Sequence, residues 1–192
     1  MYDLHTHTIL SDGELLPCEL IRRMAVLGYD TVGITDHADM SNISSTIAAI
    51  ERIRCSAEEY GVTLLAGVEI THVPPAEISR LAKLAKDEGA DIVVVHGETV
   101  VEPVAPGTNR QACICEYVDI LAHPGLITKE DAQEAVDHGV FLEITARGGH
   151  NRTNGHVARI AEETGCNLVV DSDAHGPGDL MSDRARELVV RG

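Results

Sequence analysis

The sequence predicts an α/β protein in which seven strand–helix units close into a compact (β/α)7 barrel, and three observations carry that expectation. Apolar runs of strand length recur at Tyr2 to His5, Thr31 to Thr35, Thr63 to Ile70, Asp91 to His96, Tyr117 to His123, Val140 to Thr145 and Asn167 to Asp171, each continuous as in a buried parallel strand. Helical spacing lies between them, with one apolar face formed by Leu20, Ile21, Met24 and Leu27 and another by Ile78, Leu81, Ala82 and Ala85. Five helical stretches stop at a glycine suited to the left-handed position just past a helix end (Gly28, Gly61, Gly89, Gly139 and Gly165), and a strand follows each within a few residues.

The elements follow in chain order. The first strand ends at His5, and the helix after it stops at Gly28. The second strand ends at Asp36-His37, with a helical stretch running to Gly61. After the third strand, Pro74-Pro75 opens the helix that carries Leu81, because proline fits the first helical turn, where no N–H partner is required. Past the fourth strand lies the longest irregular stretch, Gly97 to Asn109, on the strand C-terminal side, where a substrate loop belongs. Thr128 with Asp131 three residues on forms a capping pattern for the helix that ends at Gly139. The sixth strand, a helix ending at Gly165 and the seventh strand complete the series. Seven units in 192 residues leave about 27 residues each, near the minimum for a right-handed crossover, whereas an eightfold barrel needs roughly 250 residues. An open doubly wound sheet would use the same alternation, and in either architecture ligands gather at the strand C-termini. No linker or low-complexity segment interrupts the chain, so residues 1–192 read as one domain.

Composition narrows the function. Fifteen Lys plus Arg against 31 Asp plus Glu give a net charge of −16, which repels a polyanion over most of the surface and excludes extended nucleic-acid binding. Met1 is followed at once by Tyr-Asp-Leu-His, and no long apolar stretch occurs, so the expectation is a cytoplasmic protein with no signal peptide and no membrane span. The five cysteines, Cys18, Cys55, Cys113, Cys115 and Cys166, are odd in number and lack a Cys-x-x-Cys, which reads as reduced thiols packed as small hydrophobes.

Ten histidines in so acidic a chain are the unusual feature, and six of them sit at or just past predicted strand ends. His5 and His7 project to one face by the period-two alternation of a strand, so the pair can share one metal ion. The same position carries Asp36-His37 in the second strand, Glu69 in the third, His96 in the fourth, His123 in the fifth and Asp171-Ser-Asp173-Ala-His175 in the seventh. Only the sixth strand lacks an obvious ligand. Asp36 and Asp171 adjoin these residues and could orient imidazoles or serve ordinary strand-end hydrogen bonds. His72, His138 and His156 read as structural or solvent-facing.

With these motifs (Asp3-Leu-His5-Thr-His7-Thr, Ser11-Asp12-Gly13, Ile34-Thr-Asp36-His37, Gly67-Val-Glu69, His96-Gly97, Ala122-His123-Pro124-Gly125 and Asp173-Ala-His175) the sequence resembles the PHP family, named for polymerase and histidinol phosphatase. The resemblance covers essentially the whole chain and implies a distorted, TIM-like (β/α)7 barrel. It also implies three divalent metal ions: His5, His7, Glu69 and Asp173 hold one, Glu69 is shared with a second held by His96 and His123, and Asp12, His37 and His175 hold a third. All nine ligand positions of the family are filled, which argues against a non-catalytic scaffold. Zinc, manganese and iron all suit histidine and carboxylate donors.

Three such ions with the carboxylates Asp12, Glu69 and Asp173 would make a core of about +3 in an anionic protein, a site that admits a small phosphate ester rather than a long phosphate backbone. The expected reaction is metal-dependent phosphomonoester hydrolysis, most concretely of histidinol phosphate. As the resemblance suggests, a hydroxide shared by two metals attacks phosphorus, with Glu69 and Asp173 central to the site. Arg147, beside the paired glycines that follow the sixth strand, is the expected phosphate clamp and a member of the catalytic set, with His150 and Asn151 next to it. Arg110 is a further candidate for phosphate, and Glu98 and Glu102 for a substrate ammonium. The alternatives are a nucleotide or short-oligonucleotide phosphoesterase and, in another class, a metal-binding regulatory or assembly subunit without turnover. The oligomeric state is not legible in the sequence.

Overall fold

In the computed structural model, which describes residues 1–191, eight parallel strands form one sheet: β1 (Tyr2–Asp3), β2 (Thr31–Ile34), β3 (His37–Ala38), β4 (Thr63–Ile70), β5 (Ile92–His96), β6 (Ile120–Ala122), β7 (Phe141–Thr145) and β8 (Leu168–Asp171). They neighbour one another in the order β1-β2-β4-β5-β6-β7-β8, and β3 lies off this path beside β4. The path nearly closes on itself. Thr6 and Ala174 form a parallel bridge, His7 N–H donates to Ala174 O at 2.8 Å, and Asp173 N–H donates to His5 O at 3.0 Å. The result is a distorted, TIM-like barrel.

Each of the seven apolar runs contains one strand of that path. β1 is shorter than its run because Leu4 N–H turns to the carboxylate of Asp171 at 2.7 Å instead of continuing the ladder. The eighth strand, β3, arises from a bend after β2. Thr35 N–H donates to Thr6 O at 2.9 Å and Glu69 N–H to Asp36 O at 3.1 Å, so His37 comes into register with Glu69 on β4.

The helices α1 (Pro17–Val26), α2 (Ile43–Glu51), α3 (Arg54–Glu59), α4 (Ile78–Asp87), α5 (Thr108–Cys113), α6 (Lys129–His138), α7 (Asn154–Thr164) and α8 (Asp183–Arg191) occupy the connections and the C-terminal end. Helix α4 buries Ile78, Leu81, Ala82 and Ala85, the face its spacing predicts. Helix α1 buries Leu20, Ile21 and Met24, whereas Leu27 falls at the C-cap and is 36% exposed. Thr128 caps α6 by accepting from Asp131 N–H at 3.1 Å. The five glycines at helix ends all have φ between 72° and 93°.

Two large apolar clusters fill the layer between helices and strands, while Ile92, Val94, Ile120, Ala122 and Val169, with Leu4 and Leu65, form a small cluster of their own. Alternation along β4 puts Glu69 on the same face as Leu65, and along β5 it puts His96 with Ile92 and Val94. That face is therefore apolar toward the strand N-termini and polar at their C-terminal ends. All five cysteines are free, with Cys113, Cys115 and Cys166 buried. No helix among the described residues is long and apolar enough to cross a membrane.

Candidate metal centre

At the C-terminal ends of the strands, nine acidic and histidine side chains converge. His5 and His7, just past β1, bring their Nε2 atoms to 3.0 Å of each other. Glu69, near the end of β4 and fully buried, reaches His5 Nε2 (3.5 Å), His7 Nε2 (3.7 Å), His37 Nδ1 (2.7 Å) and His123 Nε2 (3.5 Å). Asp173, past β8, lies 3.3 Å from His7 Nε2, 3.6 Å from His123 Nε2 and 3.8 Å from His5 Nε2. Asp12, the most exposed of the nine, approaches His37 Nε2 at 3.5 Å and His175 Nε2 at 3.3 Å. The donor atoms sort into four overlapping groups: His5, His7 and Glu69; His5, His123 and Asp173; Glu69, His96 and His123; and His7, Asp12, His37 and His175. The chain thus assembles all nine residues expected as ligands, and His7 also adjoins the group that the sequence assigned to Asp12, His37 and His175.

Several ring orientations are fixed from behind. Nδ1 of His96 faces Gly97 O at 3.2 Å and Nδ1 of His175 faces Asp173 O at 3.0 Å, so their Nε2 lone pairs are left for the cluster. Glu69 Oε1, His7 Nδ1 and His123 Nδ1 are buried without a hydrogen-bond partner. Unsatisfied buried donor atoms in a set of imidazoles and carboxylates fit first-row divalent ions, which such ligands bind well.

The electrostatics agree. Burial alone would favour neutral groups, yet His5, His37 and His96 around Glu69 hold its carboxyl well below the usual carboxylate range. Asp173 is lowered in the same way by His5, His7 and His123 against burial, and Asp12 chiefly by its hydrogen bond with His37. In return, against the opposing effect of burial, Glu69 and Asp12 push His37 up to about 10, and Glu143, Glu69 and Asp173 raise His5. His96, for which burial dominates, is lowered to about 4. Imidazolium protons here balance a charge that cations would otherwise balance.

Asp12, His37, His96, His123, Asp173 and His175 line one wall of a cavity of about 480 Å3 that also receives His72, Glu102, Arg147 and His150, with His5, His7 and Glu69 buried behind that wall. Arg147 Nη1 pairs with Asp179 at 3.3 Å and remains partly exposed to the cavity. Glu102, on the loop after β5, spans three imidazoles, with contacts to His96 (3.1 Å), His72 (3.3 Å) and His150 (3.3 Å).

Other expected residues lie elsewhere. Glu98 clasps its own loop, accepting from Gly107 N–H at 2.9 Å and Asn109 N–H at 3.0 Å, and does not line the cavity. Arg110 pairs with Glu134 of α6 at 2.7 Å, because its position on α5 turns it toward the neighbouring helix. Asn151 is an exposed residue of a short turn outside the cavity. The carboxylates of Asp36 and Asp171 serve Thr8, Ser11 and backbone N–H groups rather than an imidazole. His156 bonds Ile127 O at 2.8 Å and is structural, as expected, but His72 lines the cavity with its ring tilted against that of His96, centroids 4.6 Å apart. Glu143 is a site residue that the strand-end pattern does not reveal. It is a fully buried carboxylate in the middle of β7, the strand that had no obvious ligand, and it lies 2.7 Å from His5 Nδ1. A lone carboxylate in an otherwise apolar strand was the signal available.

The family model for the PHP domain matches residues 3–99. The chain belongs to the PHP domain family. It is 50% identical to an uncharacterized protein of Methanocaldococcus jannaschii, over 100% of this chain and 88% of that protein. A 5′-3′ exoribonuclease of Haemophilus influenzae is 40% identical over 36% of this PHP chain, a match that spans only 23% of the enzyme's own length. Among solved structures, one described as the "putative histidinol phosphatase hisK" of Listeria monocytogenes superposes with a TM-score of 0.67 and 14% identity, over 95% of this chain and 98% of that one. At that identity the likeness is one of fold.

Proposed function

We propose that this PHP-family metal-dependent phosphoesterase hydrolyses a small phosphate monoester in the cytoplasm, with histidinol phosphate the first substrate to test. The observation that carries the reading is that a nine-residue histidine and carboxylate cluster opens, through six of its members, onto a cavity of about 480 Å3 that a guanidinium also lines, in a chain of net charge −16. In this reading His5, His7, Glu69 and Asp173 hold one zinc, manganese or iron ion, Glu69, His96 and His123 a second, and Asp12, His37 and His175 a third. When bound, such ions polarise the phosphoryl group and supply a water nucleophile at neutral pH.

The chain's own residues do the rest. Arg147 forks onto the non-bridging phosphate oxygens, exchanging its exposed pairing with Asp179 for a charge-assisted one with substrate. His150 sits beside His123, ring centroids 4.3 Å apart, and lines the same wall. Glu102 and His72 face the cavity on the side of His96, where the organic half of the ester and any ammonium on it would lie. The acidic exterior disfavours long polyanions and leaves the cavity as the place where phosphate is attracted.

A nucleotide or a short 5′-phosphorylated oligonucleotide is the second reading, favoured by the similarity to an exoribonuclease. The test is phosphate release by protein loaded separately with manganese, zinc and iron, on histidinol phosphate, mononucleotides, short oligonucleotides and simple sugar phosphates. A kcat/KM for histidinol phosphate well above the rest is the expected result. Preference for nucleotides retracts the named substrate, and no turnover at full metal occupancy retracts the activity.

A further inference from the structure

Glu143 has a geometry that no ligand role accounts for. Its two oxygens do different work: Oε1 lies 2.7 Å from His5 Nδ1, and Oε2 accepts the backbone N–H of His123 at 2.9 Å. Both carboxylate and imidazole are fully buried, so neither bond exchanges with water. The two histidines come from distant parts of the chain, one after β1 and one after β6. His123 has φ of 27°, an uncommon backbone conformation for a residue with a Cβ, and its own Nδ1 finds no partner, so the bond from its N–H to Glu143 is what anchors it.

We propose that Glu143 is a positioning residue that fixes the His5 tautomer and the His123 backbone together, so that both histidines present Nε2 to the metal ions. The inference rests on the metal reading above. A carboxylate accepting from Nδ1–H leaves the Nε2 lone pair free, and Nε2 of His5 is the atom aimed at Glu69 and Asp173. Only a carboxylate satisfies both partners, since each needs an acceptor. In Glu143→Gln, an amide oxygen turned to His123 leaves an NH2 group facing His5 Nδ1. The imidazole must then accept at Nδ1 and carry its proton on Nε2, where a metal cannot bind. The opposite rotamer sets NH2 against the His123 N–H, donor to donor.

The experiment compares wild type, Glu143→Gln and Asp171→Asn. Asp171 is the control, an equally buried carboxylate on the adjacent β8 that, among the described residues, accepts only from Leu4 N–H. The first readout is the His5 Nδ1–H resonance in the metal-free protein by 1H–15N NMR. It is expected to be deshielded and protected from exchange in wild type and Asp171→Asn, and lost in Glu143→Gln. The second is zinc affinity by chelator competition, expected to fall about 10–100-fold in Glu143→Gln and to hold in Asp171→Asn. Absence of the resonance from wild type overturns the proposal even if Glu143→Gln does not fold. Unchanged zinc affinity in Glu143→Gln, or an equal loss in Asp171→Asn, overturns it too. Wild type that takes up no zinc, manganese or iron instead retracts the metal reading, and the proposal goes with it.

Discussion

Replacing Glu69 by Gln tests the centre of the site with the least change of shape. Its carboxylate lies 2.7–3.7 Å from four imidazole nitrogens, on His5, His7, His37 and His123, so a cation held among those nitrogens also lies close to this one negative charge. A unit charge pair at a separation near 3.5 Å is worth about 5 kcal/mol at an effective dielectric of about 20, and a divalent ion doubles that gross attraction. The amide oxygen still coordinates, more weakly, so roughly 2–3 kcal/mol should remain as lost affinity, or about 30–150-fold in metal dissociation constant. Metal content after dialysis against graded metal buffers, with phosphate release measured on the same samples, reads this directly. A second signature needs no metal: after burial, which opposes it, Glu69 is the main cause of the raised His37 pKa, so that value must fall from about 10 in Glu69→Gln. A variant with wild-type metal occupancy at every free metal concentration, and with His37 still titrating near 10, would refute the placement of Glu69 at the hub.

Arg147→Ala should raise KM for phosphate esters about 10–100-fold, as expected for one lost charge-assisted hydrogen bond, and leave kcat nearly unchanged. Unaltered kinetics would remove Arg147 from the phosphate subsite. Gly67→Ala should destabilise the fold by about 3 kcal/mol or more, read as a lower urea midpoint, because the new Cβ would stand 2.3 Å from Ile92 O on the neighbouring strand. A midpoint equal to wild type would contradict that packing. Metal uptake at pH 7.5 should release protons. His5, His37 and His123 have raised pKa values among these side chains alone, so they are protonated below those values and a metal must displace the protons. Affinity should accordingly climb with pH toward about 10, where His37 loses its proton unaided. Calorimetry in two buffers of different ionisation enthalpy measures the release, and buffer-independent heats would count against it.

The alternation of apolar runs and helical spacing was enough to place the seven strands of the barrel path, because burial of parallel strands leaves a mark on every residue in them. The His and carboxylate residues at strand ends were equally legible, since strand C-termini converge whatever the details of twist. What could not be read were features set by register and loop path. β3 exists because a bend at Asp36 brings His37 beside Glu69, a pairing that no local pattern encodes. Glu98 and Glu102 are four residues apart in one loop, yet one clasps backbone N–H groups while the other reaches three histidines. Arg110 follows that loop in sequence but belongs to α5, whose packing against α6 turns it away.

The backbone at the site shows why residue types alone do not make it. Among the described residues, the three non-glycine positions with positive φ are His72, His123 and Asp173, at 53°, 27° and 52°, and all three line the cavity. Such conformations cost about 1–3 kcal/mol each and persist only where surrounding contacts over-determine them. Two of those contacts are visible: Asp173 N–H is taken by His5 O, and His123 N–H by Glu143. Each ties a strained residue to the strand system through the neighbourhood of His5. The strain therefore sits in the loops that present donor atoms, while the restraint comes from buried groups that do not touch the cavity. On this argument, loosening the restraint should release the geometry of His123 and Asp173 before it unfolds the barrel, and metal affinity should respond to such substitutions sooner than thermal stability does.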